Sequence, residues 1–153
     1  MVRFKNRYIA IEVKEERGVR PGSKLSSKDL YHKIYGTVSR LHGDYGIASI
    51  RNGFSASYCN EITKIAILRV RHGPHKFVTS VLPVINNIGD VPVIINTLYV
   101  GATLHQCYKF ILSHQKKSLI ELLPNIPDED KSKFENEFLN FDGILAKNKR
   151  IKE

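Results

Sequence analysis

The chain has 153 residues, of which 42% are hydrophobic and 25% are charged, values typical of one folded globular domain rather than a disordered chain. Lys and Arg number 24 against 15 Asp and Glu, so the formal net charge is +9. A small chain this basic indicates a polyanionic partner, with nucleic acid ahead of an anionic membrane surface.

Cysteine usage and apolar run lengths exclude further classes. The two cysteines, Cys59 and Cys107, form no CxxC pair, which disfavours a disulfide scaffold or a zinc module. The opening residues resemble a strand rather than an apolar signal core. The longest apolar stretch, residues 91–104, is too short to span a bilayer, so we expect no membrane partner.

Strands and helices alternate in the predicted first half of the chain. A strand is predicted over residues 4–13, followed by a polar loop and a helix that begins near Ser26 and stops at Gly43. A second strand is predicted over residues 45–59, with a bend at Gly53, and a third over residues 64–71.

The second half continues the pattern and then becomes helical. A helix opens at Gly73-Pro74 and ends near Pro83, a loop covers residues 86–90, and residues 91–100 form a strand that we expect to be buried on both faces. A third helix, capped by Thr103, ends at Pro124. Residues 1–123 are thus predicted to form one α/β domain. Residues 124–153 are expected to add a short helix over 128–141 and a basic, disordered tail.

The order βαββαβ followed by helices predicts an α/β (α+β) sandwich of the ferredoxin-like, RRM-like kind, with additional C-terminal helices. RNA-recognition modules and some small enzymes share this architecture, so the fold alone does not select a function.

The basic residues of two strands meet at one place in this topology. The first and third strands are usually antiparallel neighbours, so the start of one lies beside the end of the other. Arg3, Lys5 and Arg7 would then lie near Arg69 and Arg71. We expect the apolar halves of both strands to lie over the core and the five cations to contact RNA phosphates. A solvated basic rim is the alternative.

Aromatic residues give little sign of base recognition. Phe4 and Tyr8 lie on the first strand, but the third strand has no aromatic residue, so the stacking signature of RNA-recognition modules is absent. We expect Phe4 and Tyr8 to pack in the core or at its rim, and RNA to be recognised through its backbone and shape.

A second candidate anion site lies at the start of the third helix. Gly101 allows a tight turn, Thr103 caps the helix, and His105 and Lys109 follow. Free N–H groups at a helix N-terminus suit a phosphate. A purely structural role, in which Gly101 and Thr103 only connect the strand to the helix, explains these residues equally well.

Signals for catalysis are weak. His72-x-x-His75 lacks a third metal ligand, Cys107 lies on an apolar helix stripe, and Cys59 has no marked activator. No P-loop, nucleophile elbow or dinucleotide motif is present. We therefore predict no catalytic residue, metal site or bound cofactor in this chain.

Four blocks, in order over residues 1–123, resemble a known family. They are the opening MVRFKNRYI; RLHG at residues 40–43 with Gly46; Gly53-Phe54 with Tyr58 and Asn60; and NTLYVGAT at residues 96–103, followed by Cys107, Lys109 and Phe110. Together they resemble the small protein subunit shared by ribonuclease P and ribonuclease MRP, of the Pop-five type.

The resemblance implies an RNA-binding subunit of a ribonucleoprotein endonuclease that removes 5′ leaders from precursor tRNA and processes precursor rRNA. The RNA subunit would carry catalysis, with Mg²⁺ at its active site. Implied partners are the catalytic RNA, precursor tRNA, a TIM-barrel protein subunit and a smaller sandwich-fold paralogue. The implied location is the nucleus or nucleolus in a eukaryote, or the cytoplasm in an archaeon.

Residue by residue, the resemblance marks Arg3, Lys5, Arg7 and Tyr8 as RNA-facing. Relatives can carry Arg at the position of His105, and a histidine, unlike an arginine, carries no permanent charge, so none is expected there. Two rival functions remain: a small ferredoxin-like phosphohydrolase, and a protein–protein assembly module without direct RNA contact.

Overall fold

The computed structural model describes residues 4–15, 26–122, 124, 131–133, 135–136 and 139. Within them the helices are α1 (Ser27–Arg51), α2 (His75–Val81) and α3 (Leu104–Leu122), and a short 3-10 turn spans Leu82–Val84. The strands of this part of the chain are β1 (Asn6–Glu15), β2 (Ser55–Cys59), β3 (Ile65–Arg71), β4 (Asn87–Ile88) and β5 (Val91–Gly101).

The described strands form one antiparallel sheet in the order β2-β3-β1-β5-β4. Without the two-residue β4, the order β2-β3-β1-β5 is that of the ferredoxin-like sandwich, so the predicted fold class and the pairing of the first and third strands are confirmed. β4 lies in the predicted loop of residues 86–90 and was not foreseen, since two residues are too few to show a strand pattern.

Each face of the sheet has its own apolar cluster because side chains alternate along a strand. Ile9 and Ile11 of β1 lie in the cluster that includes the buried residues of α1 and α2. Ala10 lies in a second cluster, where Ile111 of α3 packs on the opposite face. α3 therefore covers the face of the sheet that an RNA-recognition module leaves open.

α1 begins as predicted and continues further than predicted. Ser26 caps it, with the side-chain oxygen accepting a hydrogen bond from Lys28 N–H at 3.2 Å. The backbone leaves helical geometry at Gly43 (φ 60°, ψ −156°), where we expected the end. The helix resumes, however, and ends only at Arg51. The strand predicted over residues 45–59 is thus confirmed only for Ser55–Cys59 and wrong for residues 45–51.

The burial predicted for the last long strand is wrong. β5 extends over Val91–Gly101, but Ile94 and Val100 are exposed. The cluster beneath α3 takes in Leu98 and Tyr99 and does not reach Ile94. Only part of the strand is therefore covered on both faces, and its apolar composition overstates its burial.

The C-terminal predictions fall partly outside the described residues. Residues 131–133 and 135–136 are helical, and Leu139 packs against the α3 cluster. The remaining residues of the predicted 128–141 helix lie outside the described residues, and so does the basic tail. The predicted domain boundary at residue 123 stays a prediction. Among the helices of the described ranges, none is both long and apolar enough to cross a bilayer.

Candidate nucleic-acid interface

The register of β1 and β3 brings their basic ends together. Asn6 pairs with Arg71 and Tyr8 with Arg69, and the N–H of His72 donates to the carbonyl of Lys5 at 2.8 Å. Lys5 and Arg7 therefore lie at the same end of the sheet as the two arginines of β3. Arg3, the remaining predicted cation of this group, lies outside the described residues.

These cations nevertheless occupy two faces. Residues directly opposite in an antiparallel pair share a face, and Arg7 is opposite Val70 rather than an arginine. Ile9 packs with α1 and α2, whereas Ile67 packs with α3. The apolar halves of both strands are buried, as expected, but they belong to two clusters on opposite faces of the sheet. Lys5 and Arg7 thus lie on the α2 face, and Arg69 and Arg71 on the α3 face.

On the α3 face, the register also joins the two predicted sites into one. Ser55, Arg69, Tyr8 and Gly101 are successive partners across β2, β3, β1 and β5. Arg69 is exposed, while the Tyr8 ring is half-buried in the cluster beneath α3. The row ends where α3 begins. Strand cations and helix N-terminus, separated by about thirty residues in sequence, therefore share one end of one face.

The start of α3 is built as the sequence predicted. Thr103 Oγ1 accepts a hydrogen bond from Gln106 N–H at 3.2 Å, which confirms the cap. His105 and Lys109 are exposed on the first turns. Gly101 is needed for packing, because a Cβ there would lie 2.7 Å from Tyr99 Cε1 and 3.1 Å from Cys107 Sγ.

The Cys107 thiol fixes α3 to β1. It is fully buried and donates to the carbonyl of Tyr8 at 3.2 Å, which confirms the packing role predicted for it. Burial raises the pKa of Cys107 to about 11, so the thiol is protonated at neutral pH. Such a group is a poor nucleophile.

On the α2 face, two histidines join the cationic end. The rings of His72 and His75 stack with centroids 5.4 Å apart, and His75 Nδ1 accepts from Gly73 N–H at 3.1 Å. Burial lowers the pKa of His75, and the nearby His72, Arg7 and Lys76 lower it further. Within the described residues, no group of three His, Cys, Asp or Glu side chains could hold a metal ion.

Sequence reasoning missed one contact at this end. The guanidinium carbon of Arg71 lies 4.1 Å from the centroid of the Phe4 ring. Phe4 is 70% exposed, so the packing role expected for it is wrong, whereas Tyr8 does pack. β3 has no aromatic residue of its own, but the arginine at its end contacts an aromatic ring that lies just before β1.

The opposite end of β1 is neutralised locally. Glu12 pairs with Lys14 at 3.2 Å, and Glu15 pairs with Lys64 at 3.0 Å. β1 is therefore basic where it meets the start of α3 and electrically balanced at its far end. This polarity makes one end of the molecule the candidate surface for a polyanion.

Fold and surface together define a ferredoxin-like α+β domain with one sheet face closed by a helix and with a cationic end. Comparison of the sequence with models of known protein families assigns this domain to one of them. The family model described as the Rpp14/Pop5 family matches residues 7–112, and the chain belongs to this family. The resemblance drawn from the sequence blocks is confirmed.

Named relatives agree with this assignment. The chain is 36% identical over 135 residues to "Ribonuclease P/MRP protein subunit POP5" of Bos taurus, covering 84% of this chain and 78% of the relative. The Homo sapiens protein of that name is also 36% identical, with 84% and 81% covered. The Schizosaccharomyces pombe protein is 25% identical over 127 residues, with 78% and 91% covered.

A solved structure shares the fold. A chain in the cryo-EM structure of yeast ribonuclease MRP superposes with a TM-score of 0.51, covering 68% of this chain and 79% of that one. Because the sequences are only 15% identical, this likeness concerns the fold alone.

Proposed function

We propose that this chain is an RNA-binding protein subunit of ribonuclease P, shared with ribonuclease MRP. In that role it would support removal of 5′ leaders from precursor tRNA and the processing of precursor rRNA. Support for the subunit role comes from family membership and from relatives named as ribonuclease P/MRP subunits. Support for RNA contact comes from one observation, the register that gathers Lys5, Arg69 and Arg71 at one end of the sheet.

The proposed task of these side chains is charge neutralisation. Folded RNA brings phosphates together, and cations fixed on a rigid sheet lower the repulsion between them. Arg69, Arg71 and the start of α3 would contact phosphates on one face, and Lys5 and Arg7 on the other. Guanidinium groups suit this task, because each presents several donors in a fixed plane.

Chemistry in the complex is assigned to the RNA. Mg²⁺ held by the RNA subunit would supply the attacking hydroxide and stabilise the leaving oxygen. The chain's own residues take no part in bond cleavage in this proposal. The proposed protein partners are a TIM-barrel subunit and a smaller sandwich-fold paralogue, and the proposed location is the nucleus and nucleolus of a eukaryotic cell.

Exposed apolar side chains favour a protein interface beside the RNA surface. Leu41 and Tyr45 of α1 are 48% and 75% exposed, on either side of the break at Gly43. A docking role there is compatible with RNA contact at the cationic end. We therefore propose assembly as a second function of the same chain.

The decisive experiment is a tagged pull-down of the full chain from native extract, with RNA sequencing and a precursor-tRNA cleavage assay on the eluate. We expect one abundant structured RNA and leader-cleaving activity, both lost after nuclease treatment. Recovery of proteins without such an RNA would contradict the RNA-binding proposal and leave the assembly role alone.

A further inference from the structure

Phe4 and Arg71 form an aromatic–cation pair at the cationic end of the sheet. Phe4 lies two residues before β1, and the Arg71 guanidinium lies over the Phe4 ring at 4.1 Å. A phenyl ring has two faces, and the guanidinium covers one. The residue is 70% exposed, so the contact with Arg71 leaves most of its surface accessible to a ligand.

The position of Arg71 is fixed by its surroundings. Its backbone pairs with Asn6 in the β1–β3 ladder. Its aliphatic stem lies against Gly53, where an added Cβ would come within 2.9 Å of Arg71 Cγ. The half-buried side chain is thus held by two strands and a turn, and the ring that rests on it gains a defined orientation.

The neighbouring charges indicate which ligand fits the open face. Arg69 is exposed on the same face as the pair, two residues before Arg71 in β3, and Lys5, which directly follows Phe4, is exposed on the opposite face at the same end of the sheet. An apolar peptide would bring no compensating charge to this setting. A nucleotide brings both a flat aromatic base for the ring and a phosphate for the cations.

We propose that Phe4, backed by Arg71, is a stacking site for an unpaired RNA nucleobase. The proposal rests on the proposed RNA-binding function and deepens it, because it assigns a base contact to a surface otherwise expected to touch only the backbone. The base must be unpaired, since a duplex keeps both base faces within its stack. Every base has a π-face, so the site selects single-stranded RNA without selecting a sequence.

The chain contains no tryptophan, which allows a direct optical test. In the full-length Phe4→Trp variant, the sole indole occupies the proposed site. Tyr45→Trp is the matched control, because Tyr45 is equally exposed but is on α1 and packs edge-on against Phe77. Each variant is titrated with a single-stranded oligoribonucleotide, with an abasic oligomer of equal charge, and with an RNA duplex.

We expect the single strand to quench the indole of Phe4→Trp, and the abasic oligomer and the duplex to bind without comparable quenching. Tyr45→Trp should show no change. Phe4→Leu should weaken single-strand binding about tenfold, whereas Tyr45→Leu should leave it within about twofold.

The outcomes separate the two proposals. Salt-dependent RNA binding without selective quenching in Phe4→Trp, or quenching by the abasic oligomer to the same degree, would overturn the stacking site while leaving the RNA-binding function intact. Absence of binding by the wild-type chain to every RNA, measured by anisotropy of the labelled oligomers, would overturn both.

Discussion

Gly101 shows how a single missing side chain sets the distance between a strand and a helix. An added methyl group would meet Tyr99 at 2.7 Å and Cys107 at 3.1 Å, and both belong to packed surroundings. We therefore expect Gly101→Ala to lower the free energy of unfolding by about 1–3 kcal/mol, measured by chemical denaturation.

A second glycine provides the control. A Cβ at Gly36, inside α1, would meet nothing within 4 Å. Because alanine is the better helix former, Gly36→Ala should leave stability unchanged or raise it by roughly 0.5–1 kcal/mol. Equal stability of Gly101→Ala and wild type would mean that the strand–helix contact is looser than described.

The two thiols give a prediction for high pH. Burial raises the pKa of Cys59 and of Cys107 from 9.0 to about 11. The unfolded chain therefore loses these protons first, and the free energy of unfolding should fall as pH rises from about 9 towards 11. Cys59→Ser and Cys107→Ser variants should each show a smaller fall when unfolding is followed by circular dichroism.

The same protonated thiols should resist alkylation. At pH 8 we expect iodoacetamide to modify the folded chain slowly and the denatured chain quickly, because only the thiolate reacts. Mass spectrometry distinguishes the two sites. Rapid modification of Cys107 in the folded chain would contradict its burial.

At the scale of elements, α1 shows what a local pattern can and cannot specify. Ser26 followed by Asp29 and buried residues at helical spacing predicted its start correctly. The stretch after Gly43 was predicted to be a strand because Ile47 and Ile50 are β-branched, and such residues occur both in strands and in helices. Ile50 packs in the core, and this tertiary contact, which the sequence pattern does not reveal, favours the helical conformation of the segment after Gly43.

The cap of α3 gives a testable element-scale prediction. Replacing Thr103 by Ala removes the acceptor for Gln106 N–H and should cost about 1 kcal/mol, whereas Thr103→Ser keeps the oxygen and most of the stability. Hydrogen exchange of the first turn of α3 measures the effect. Unchanged exchange in Thr103→Ala would show that the backbone alone holds the helix start.

At the scale of the whole molecule, the topology was predictable and the surface was not. The alternation of strands and helices predicts the strand order. The alternation of side chains along β1 predicts that Ile9 and Ala10 lie on opposite faces of the sheet. The face of Arg69 and Arg71 depends on the pairing of β3 with β1, and a shift of one residue moves every side chain to the other face. The Arg71–Phe4 contact depends on the same register, so no local motif could reveal it.

RNA binding through the cationic end of the sheet and RNA binding through overall net charge predict different effects of removing the same number of charges. Lys5→Gln with Arg69→Gln should weaken binding and reduce the slope of log K against log salt by roughly 1.4–1.8, the value for two lost phosphate contacts. Lys14→Gln with Lys117→Gln removes the same charge elsewhere, from the balanced end of β1 and from the last turns of α3. Equal slopes for the two double variants, in titrations of the full chain, would assign binding to net charge alone.

The strand order also determines how long the edges of β1 remain unpaired while the chain is being synthesised. Of the strands that the structure describes, β1 leaves the ribosome first, yet it lies between β3 and β5, which end at Arg71 and Gly101. Neither of its hydrogen-bonding edges can be completed early, and α3, which closes the second apolar face, is made later still. Open edges and uncovered apolar faces promote aggregation during synthesis. The edges of β1 and the second apolar face therefore stay open until α3 has been made, however small the domain is.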